Sequence, residues 1–164
     1  MKRSDEAGYR DYVAARLEVL RRTAYLLCRD WHLADDLVSV TIGKLYRHWK
    51  RVADMPRLDG YVSKILLRTW LDERRRPWHR EQPTELLPDL PAAPEPDVVG
   101  RADLLDLLAT LPPRRRAAVV LRHYCDLSVE ETAQILGCTP GTVKSQTARG
   151  LDTLRARAAE ATNE

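Results

Sequence analysis

The chain has few cysteines and no long apolar run, and these absences exclude several protein classes. Cys28, Cys125 and Cys138 are the only cysteines among 164 residues, too few and too unevenly spaced for a disulfide framework. No C-x-x-C pair or histidine cluster accompanies them, so the sequence predicts no metal site and no cofactor. No apolar run approaches the ~20 residues of a membrane span, and Met-Lys-Arg is followed by acidic and polar residues rather than by a signal core. We therefore expect a cytoplasmic protein without membrane contact.

The sequence also lacks a catalytic constellation. Its carboxylate pairs consist of adjacent residues, namely Asp35 and Asp36, Asp72 and Glu73, and Glu130 and Glu131. Neighbours on a helix diverge by ~100°, so such a pair cannot converge on one substrate. The chain is therefore predicted not to be an enzyme.

Helical periodicity dominates the chain. Glycine and proline are scarce outside one stretch, apolar residues recur at helical spacing, and no run of alternating β-branched residues indicates a strand. The pattern predicts an all-α fold with helices at about residues 5–28, 31–52, 61–76, 101–111 and 113–125, followed by a further helical pair. Asp30 is the expected N-cap of the second helix.

Residues 81–100 separate two parts of different charge. The segment carries five of the ten prolines and five acidic residues without a base, which is typical of an extended linker. We therefore predict two small helical domains, residues 1–80 and 101–164, joined by this Pro-rich acidic linker. Residues 1–80 hold 18 Lys and Arg against 11 Asp and Glu, and this excess favours an anionic partner such as nucleic acid.

The sequence of residues 128–151 predicts two short helices joined by a tight turn. Ser128 and Glu131 form a capping box at the start of the first helix. Gly137 offers the left-handed conformation that ends it, and Thr139 with Pro140 begins the second helix. Each helix has an apolar face, and the residues of these two faces are Val129, Thr132, Ala133, Ile135, Leu136, Val143, Thr147, Leu151 and Leu154. The arrangement predicts a helix-turn-helix, which places its second helix in a major groove.

The outward side of the second helix carries small, hydroxyl and cationic groups. We expect DNA contacts from Thr139, Gly141, Thr142, Lys144, Ser145 and Arg149. Lys and Arg can reach guanine O6 and N7 in the major groove, while hydroxyls and backbone N–H groups bind phosphates. The alternative is an ordinary helical hairpin with a solvated cationic face.

The third predicted helix ends in a cluster of cations and aromatics. Arg74, Arg75 and Arg76 follow Trp70 and precede Trp78. Phosphates bind guanidinium groups and unpaired bases stack on indoles, so this end suits single-stranded nucleic acid. The alternative is structural, because Trp70 also fits the buried stripe and basic residues suit any helix C-terminus.

Three segments resemble the extracytoplasmic-function (ECF) sigma factors of bacterial RNA polymerase, in particular the short actinobacterial members. DWHLADDLVSVTIGKLYRHW is similar to the region-two helix of that family, and GYVSKILLRTWLDERRR to its promoter-melting helix. LPPRRRAAVVLRHYCDLSVEETAQILGCTPGTVKSQTARGLDTLR is similar to region four, with the LPPR start, the DLS capping box and GTVKS all present. The resemblance covers nearly the whole chain.

The resemblance implies a non-enzymatic specificity subunit that binds core RNA polymerase, places it at a promoter and helps to separate the strands. Region four would rest against the β flap and read the minus-thirty-five element of promoter DNA. The region-two helix would dock on the β′ coiled coil through Asp36, Leu37, Ser39 and Val40. The promoter-melting helix would open the minus-ten element with contacts from Lys64, Arg68, Trp70, Arg74, Arg75 and Arg76. Whether an anti-sigma factor holds the chain inactive stays open.

Two departures from the family pattern fall on these contacts. Ser39 and Val40 stand where a Gln-Glu pair is common, which bears on the affinity for core polymerase. Arg68 stands where Asn is frequent, which bears on the identity of the minus-ten sequence.

The length of the linker is sufficient for the two domains to bind two promoter elements, because two helical turns of duplex measure roughly 70 Å. Twenty residues in polyproline-like form reach ~60 Å, and two domain radii add the rest.

Two other functions would use the same helix-turn-helix. A dimeric transcriptional regulator would bind half-sites one turn apart and use the N-terminal half as a sensing or dimerisation domain. That half is basic and aromatic at one helix end, whereas a dimer interface should show a long apolar seam. A DNA enzyme such as a recombinase would need a nucleophile with convergent arginines or a metal-binding acidic cluster, and the sequence shows neither.

Overall fold

A computed structural model describes residues 2–75 and 98–163, and both ranges are built from helices. The elements are α1 (Arg3–Cys28), α2 (Trp31–Val52), α3 (Leu58–Arg75), α4 (Val98–Ala109), α5 (Pro113–Val119), a π-helical turn (Val120–Tyr124), α6 (Val129–Leu136) and α7 (Pro140–Thr162). The predicted all-α fold is confirmed.

Local hydrogen bonds explain where α1 ends and α2 begins. Asp30 Oδ1 accepts hydrogen bonds from the N–H groups of His32 (2.9 Å) and Leu33 (3.2 Å), so it caps α2 as predicted. Arg29 takes a left-handed φ of 57° while its N–H still donates to the carbonyl of Tyr25. That conformation ends α1 and reverses the chain, and α2 then packs along α1.

Two helices begin three residues earlier than the sequence predicts. α3 starts at Leu58 rather than near Tyr61, and Arg76, its expected last residue, lies outside the described ranges. α4 starts at Val98 rather than at residue 101, so residues 98–100 of the predicted linker are helical. The remainder of that linker, residues 81–97, also lies outside the described ranges.

The helix expected at residues 113–125 changes its character part-way. α5 is α-helical to Val119 and then widens into the π-helical turn, in which the N–H of Cys125 donates to the carbonyl of Val120 at 3.0 Å. Asp126 follows with a φ of 54°, which turns the chain toward α6. Apolar periodicity predicts a helix here but not its widening.

Buried side chains from the two halves of the chain form one continuous core. Leu66 and Trp70 of α3, each 1% exposed, belong to the same cluster as Leu121 and Leu136 of the C-terminal half. Helix α3 contacts α6, and α1 contacts α4 and α5. The two halves therefore pack against each other, although residues 76–97 lie between them in the sequence.

Candidate nucleic-acid and polymerase interfaces

The predicted helix-turn-helix is present, and side-chain caps define its turn. Ser128 Oγ accepts a hydrogen bond from the N–H of Glu131 at 3.0 Å, which starts α6. Gly137 ends α6 with a φ of 68°, a left-handed conformation that glycine adopts without a Cβ clash. Thr139 Oγ1 then accepts from the N–H of Thr142 at 3.2 Å and starts α7. These local bonds fix the direction in which α7 leaves the turn.

Close packing on α5 holds the inner face of α7. Val143 is fully buried. A Cβ added at Gly150 would lie 2.6 Å from Val119 Cγ2, so only glycine permits this crossing of the two helices. Arg115 Nε also donates to Gln146 Oε1 at 3.0 Å. The opposite face of α7 is left to solvent.

The six residues predicted to contact DNA from this module are all exposed. They lie on the outer side of α7 and at its N-cap, and they are Thr139, Gly141, Thr142, Lys144, Ser145 and Arg149. The hydroxyl groups of Thr139 and Thr142 lie 3.0 Å apart. Cations, hydroxyls and a glycine on one surface allow the backbone and the side chains to reach a groove together.

The predicted contacts on α3 differ in exposure. Arg68, Arg74 and Arg75 are exposed, and Lys64 is half-buried. Trp70 is only 1% exposed. With the two halves packed together the indole lies in the core and cannot stack on an unpaired base, so in this arrangement the predicted DNA contact of Trp70 is corrected to a structural role.

Two guanidinium groups help to cover Trp70. The Cζ atoms of Arg74 and Arg116 lie 5.5 Å and 5.7 Å from its ring centroid. Burial, reinforced by the charge of Arg74, lowers the pKa of Arg116. A groove of about 680 Å³ opens beside Trp70 between the two halves, and Arg75 and Arg114 are among its lining residues.

Helix α2 exposes part of the predicted polymerase contact. Asp36, Ser39 and Val40 are exposed, and Gly43 continues the same face one turn further along. Leu37 is only 1% exposed. Its side chain packs in the core and cannot touch a partner. The predicted polymerase contact of Leu37 is therefore corrected to a packing role on the inner face of α2.

The start of α2 is held in place beside that face. Arg21 Nε lies 2.6 Å from Asp35 Oδ1, and the Arg21 guanidinium carbon lies 5.0 Å from the ring centroid of Trp31. Trp31 stacks in turn on Tyr25, with 4.0 Å between ring centroids and 4° between ring planes. These contacts order the helix end from which Asp36 projects.

A second group of cations lies on α2, outside the contacts predicted from the sequence. Arg47, Lys50 and Arg51 are exposed in its C-terminal half, together with His48. The signal that reveals them is the absence of any acidic residue from position 37 to position 53.

The described residues show no group of three or more side chains that could hold a metal ion. None of the described helices is both long enough and apolar enough to cross a membrane. The three cysteines are free thiols.

Two family models match most of the chain. Residues 12–80 match "Sigma-70 region 2", and residues 101–154 match "Sigma-70, region 4". The chain belongs to the sigma-70 family. Its region 2 match includes α2, α3 and most of α1, and its region 4 match includes α6, the turn that follows it and most of α7.

Relatives with sigma-factor names align with nearly the full length. The RNA polymerase sigma-E factor of Streptomyces coelicolor is 36% identical over 148 residues, covering 90% of this chain and 84% of the relative. The RNA polymerase sigma-E factor of Streptomyces avermitilis is 36% identical, covering 94% and 87%. The ECF RNA polymerase sigma factor SigE of Mycolicibacterium smegmatis is 35% identical, covering 82% of this chain and 55% of the relative.

Solved sigma-factor structures share the fold. The sigma factor RpoE in complex with the anti-sigma factor NepR from Bartonella quintana matches with a TM-score of 0.72 and 22% identity, covering 90% of this chain and 94% of that one. CnrH in complex with the cytosolic domain of CnrY matches with a TM-score of 0.69 and 20% identity, covering 93% and 88%. Both matches include the two halves of the chain.

Proposed function

We propose that this chain is a promoter-specificity subunit of bacterial RNA polymerase, which binds the core enzyme, places it at a promoter and helps to separate the DNA strands. The observation that carries the proposal is the joint match to sigma-70 regions 2 and 4, in a chain whose helix-turn-helix exposes Lys144 and Arg149. RNA synthesis belongs to the core enzyme, so the chain needs no catalytic site of its own. It acts in the cytoplasm, where polymerase and promoter meet.

In this proposal α7 reads the minus-thirty-five element. Its outer face enters the major groove, where Lys144 and Arg149 are suited to guanine edges or phosphates. The hydroxyl groups of Thr139 and Thr142 stand at the N-terminus of α7, where helix N–H groups also favour phosphate. Residues 101–164 form one of two domains, which are joined through residues 81–100. While α7 binds DNA, this domain also contacts the β flap.

Strand opening belongs to α3 in the other domain, residues 1–80. Arg68, Arg74 and Arg75 are exposed along it, and Arg76 follows them in the sequence. Guanidinium groups bind phosphates of an unpaired strand and release counterions, which favours the open state.

Docking on the β′ coiled coil is assigned to the outer face of α2. Val40 is 43% exposed, an apolar side chain flanked by the polar Asp36 and Ser39. Burying Val40 against a helical partner would remove apolar surface from water. The ordered start of α2 presents this face without a large rearrangement.

An anti-sigma factor is a further proposed partner. The similar solved structures are those of RpoE with the anti-sigma factor NepR and of CnrH with the cytosolic domain of CnrY. A protein that covers α2 or α7 of this chain would compete with polymerase or with DNA. Co-purification of the tagged chain from its native host tests for such a partner.

Run-off transcription with purified core polymerase on genomic fragments tests the main proposal. We expect specific transcripts only when both the chain and the core enzyme are present. A chain that binds DNA as a dimer, without core polymerase and without new transcripts, would instead be a conventional helix-turn-helix regulator. Gel filtration of the free chain supplies the oligomeric state.

A further inference from the structure

Ion pairs border the contact between the two halves of the chain. At one edge Arg57 Nη1, just before α3, lies 3.6 Å from Glu131 Oε1 of α6. At another edge Arg29, at the end of α1, forms an ion pair with Asp106 of α4. Both pairs join residues 2–75 to residues 98–163, and we call the contact that they border the domain interface.

The domain interface contains a buried cation. Arg116 is 7% exposed, and no carboxylate within residues 2–75 and 98–163 forms an ion pair with it. Its Nη atoms donate to three backbone carbonyls, but its Nε has no hydrogen-bond partner in the described part of the chain. A buried charge without an opposite charge costs free energy. The domain interface is therefore less stable than an apolar contact of the same size, which allows the two halves to part.

The domain interface covers one end of α3. Trp70 is 1% exposed, and the guanidinium carbon of Arg116 from the other half lies 5.7 Å from its ring centroid. Leu66, one turn earlier on α3, belongs to the same core cluster as Leu121 and Leu136 of the C-terminal half. Helix α6 also contacts α3. The C-terminal half therefore helps to withdraw the aromatic side chain at this end of α3 from solvent.

The two other proposed contact surfaces stay exposed while the domain interface is formed. Lys144 and Arg149 are exposed on α7, and Asp36, Ser39 and Val40 are exposed on α2. The domain interface is therefore selective. It covers part of the helix proposed to open the strands, and it leaves uncovered the surfaces proposed for the minus-thirty-five duplex and for polymerase.

We propose that the domain interface is an autoinhibitory contact, which covers the Trp70 end of α3 in the free chain and prevents it from binding an unpaired strand, while α7 remains able to bind duplex DNA. The proposal rests on the function proposed above. A core polymerase that binds the two halves apart from each other would expose this end of α3. Capture of an unpaired strand is then confined to the assembled enzyme.

Charge reversal at the edges of the domain interface tests the proposal in the free, full-length chain. Arg29→Asp and Arg57→Glu together place like charges opposite Asp106 and Glu131. Asp tolerates the left-handed conformation of position 29, where φ is 57°. This variant loses positive charge, so charge alone predicts weaker binding of DNA. Opening of the domain interface predicts the opposite, namely tighter binding of a single strand.

The probe is a fluorescent oligonucleotide with the non-template minus-ten sequence of a promoter found by run-off transcription. We expect its affinity for the reversed variant, measured by anisotropy, to rise about five- to tenfold, because a larger fraction of the chain is open. Affinity for a minus-thirty-five duplex should not rise. The radius of gyration of the free chain, measured by small-angle X-ray scattering, should increase.

Two further variants separate opening from charge. Adding Asp106→Arg and Glu131→Arg to the reversed variant restores opposite charges, so the affinity and the radius of gyration should return to the wild-type values. The matched control is Arg3→Asp with Arg10→Glu, which removes the same charge at exposed positions near the start of α1 and should weaken single-strand binding.

A neutral variant keeps the test valid if circular dichroism shows that the reversed variant does not fold. Arg29→Asn with Arg57→Gln removes both ion pairs without like charges and should raise single-strand affinity by about two- to threefold.

A folded reversed variant that binds the single strand no better than the control would overturn the proposal. An equal rise in duplex affinity would also overturn it, because the domain interface would then cover α7 as well. Failure of the wild type to direct run-off transcription would instead overturn the proposed function, and the scattering comparison does not depend on that result.

Discussion

The guanidinium of Arg116 donates a hydrogen bond to the backbone carbonyl of Leu27, with 2.5 Å between Nη1 and the oxygen, and so joins α5 to the end of α1. Its Nη2 donates to the carbonyls of Ala109 and Leu111 at 3.1 Å and 3.0 Å. One buried side chain thereby provides hydrogen-bond donors for carbonyl groups at the end of α4, and it connects the two halves of the chain. Promoter elements two helical turns apart are separated by roughly 70 Å, so halves in contact must part before both elements can be bound.

Replacing Arg116 by Met should destabilise the free chain. Methionine keeps the apolar stem but leaves the carbonyls of Leu27, Ala109 and Leu111 without this donor. Hydrogen bonds from charged donors contribute ~1.5 to 3 kcal/mol each, and relief of the buried charge offsets part of the loss. We expect the free energy of unfolding in urea to fall by about 2 to 4 kcal/mol. Arg155→Met, at an exposed position, should change it by less than ~0.5 kcal/mol, and equal effects of the two variants would contradict the role of Arg116.

Removing the cations of α7 should weaken promoter binding by the polymerase complex. If Lys144 or Arg149 pairs with a guanine, its change to Ala should remove ~1 to 3 kcal/mol of discrimination at one base pair. If it binds a phosphate, affinity should fall equally on all sequences and the salt slope should fall by about one. Gel-shift titrations on a set of single-base promoter variants distinguish these outcomes. Wild-type binding by both variants would refute the assignment of α7 as the recognition helix.

The outer face of α2 can be tested separately from the core beneath it. Asp36→Arg changes an exposed residue and should abolish association with core polymerase while leaving the circular dichroism spectrum unchanged. Leu37→Asp should unfold the chain instead, because it places a carboxylate at a position only 1% exposed. Co-purification with tagged core polymerase gives the first result and thermal melting the second. A folded Asp36→Arg chain that binds polymerase normally would show that this face is not the docking surface.

Local signals allowed the helix-turn-helix to be predicted from sequence. Ser128 and Thr139 cap helices through N–H groups three residues away, and Gly137 is left-handed as predicted. The Glu131 half of the predicted capping box is not formed among the described residues, because Glu131 Oε1 lies 3.6 Å from Arg57 Nη1 instead. Such local signals do not determine the role of Leu37 or of Trp70. The family resemblance implies partner contacts for both residues, whereas packing between distant helices leaves each of them only 1% exposed. The buried role of Arg116 depends on the carbonyl of Leu27, 89 residues away, which periodicity cannot indicate.

Alkaline pH should destabilise the chain through Cys28. Burial raises the pKa of this thiol to about 11 from an ordinary value of 9.0. The folded state favours the neutral thiol, so the stability that Cys28 contributes is fully present below pH ~9. This stability is lost as the pH rises from ~9 to ~11, and the loss near pH 11 is about 2 kcal/mol. The measurement is the difference in unfolding free energy between pH 8 and pH 10.5 for wild type and Cys28→Ala. An equal pH dependence in both proteins would exclude Cys28 as the cause.

The arginines at the end of α3 should act in strand opening rather than in placement of the polymerase. Changing Arg74, Arg75 and Arg76 to Ala removes up to three phosphate contacts and the counterion release that accompanies them. Binding to an isolated minus-thirty-five duplex should survive because α7 is untouched, and polymerase association should survive because the outer face of α2 is untouched. Permanganate reactivity of unpaired thymines in the minus-ten element should disappear.

A pre-melted template then tells two roles of these arginines apart. Rescue of transcription by the bubble would mean that the arginines assist melting, whereas no rescue would mean that they hold the single strand itself. Because Arg74 also covers Trp70 in the core, the thermal melting of the triple variant must be measured alongside. Arg75→Ala with Arg76→Ala spares that contact and should show the same defect in a smaller degree. Normal thymine reactivity in a folded triple variant on duplex DNA would leave these arginines as a solvated helix end, consistent with the helix dipole alone.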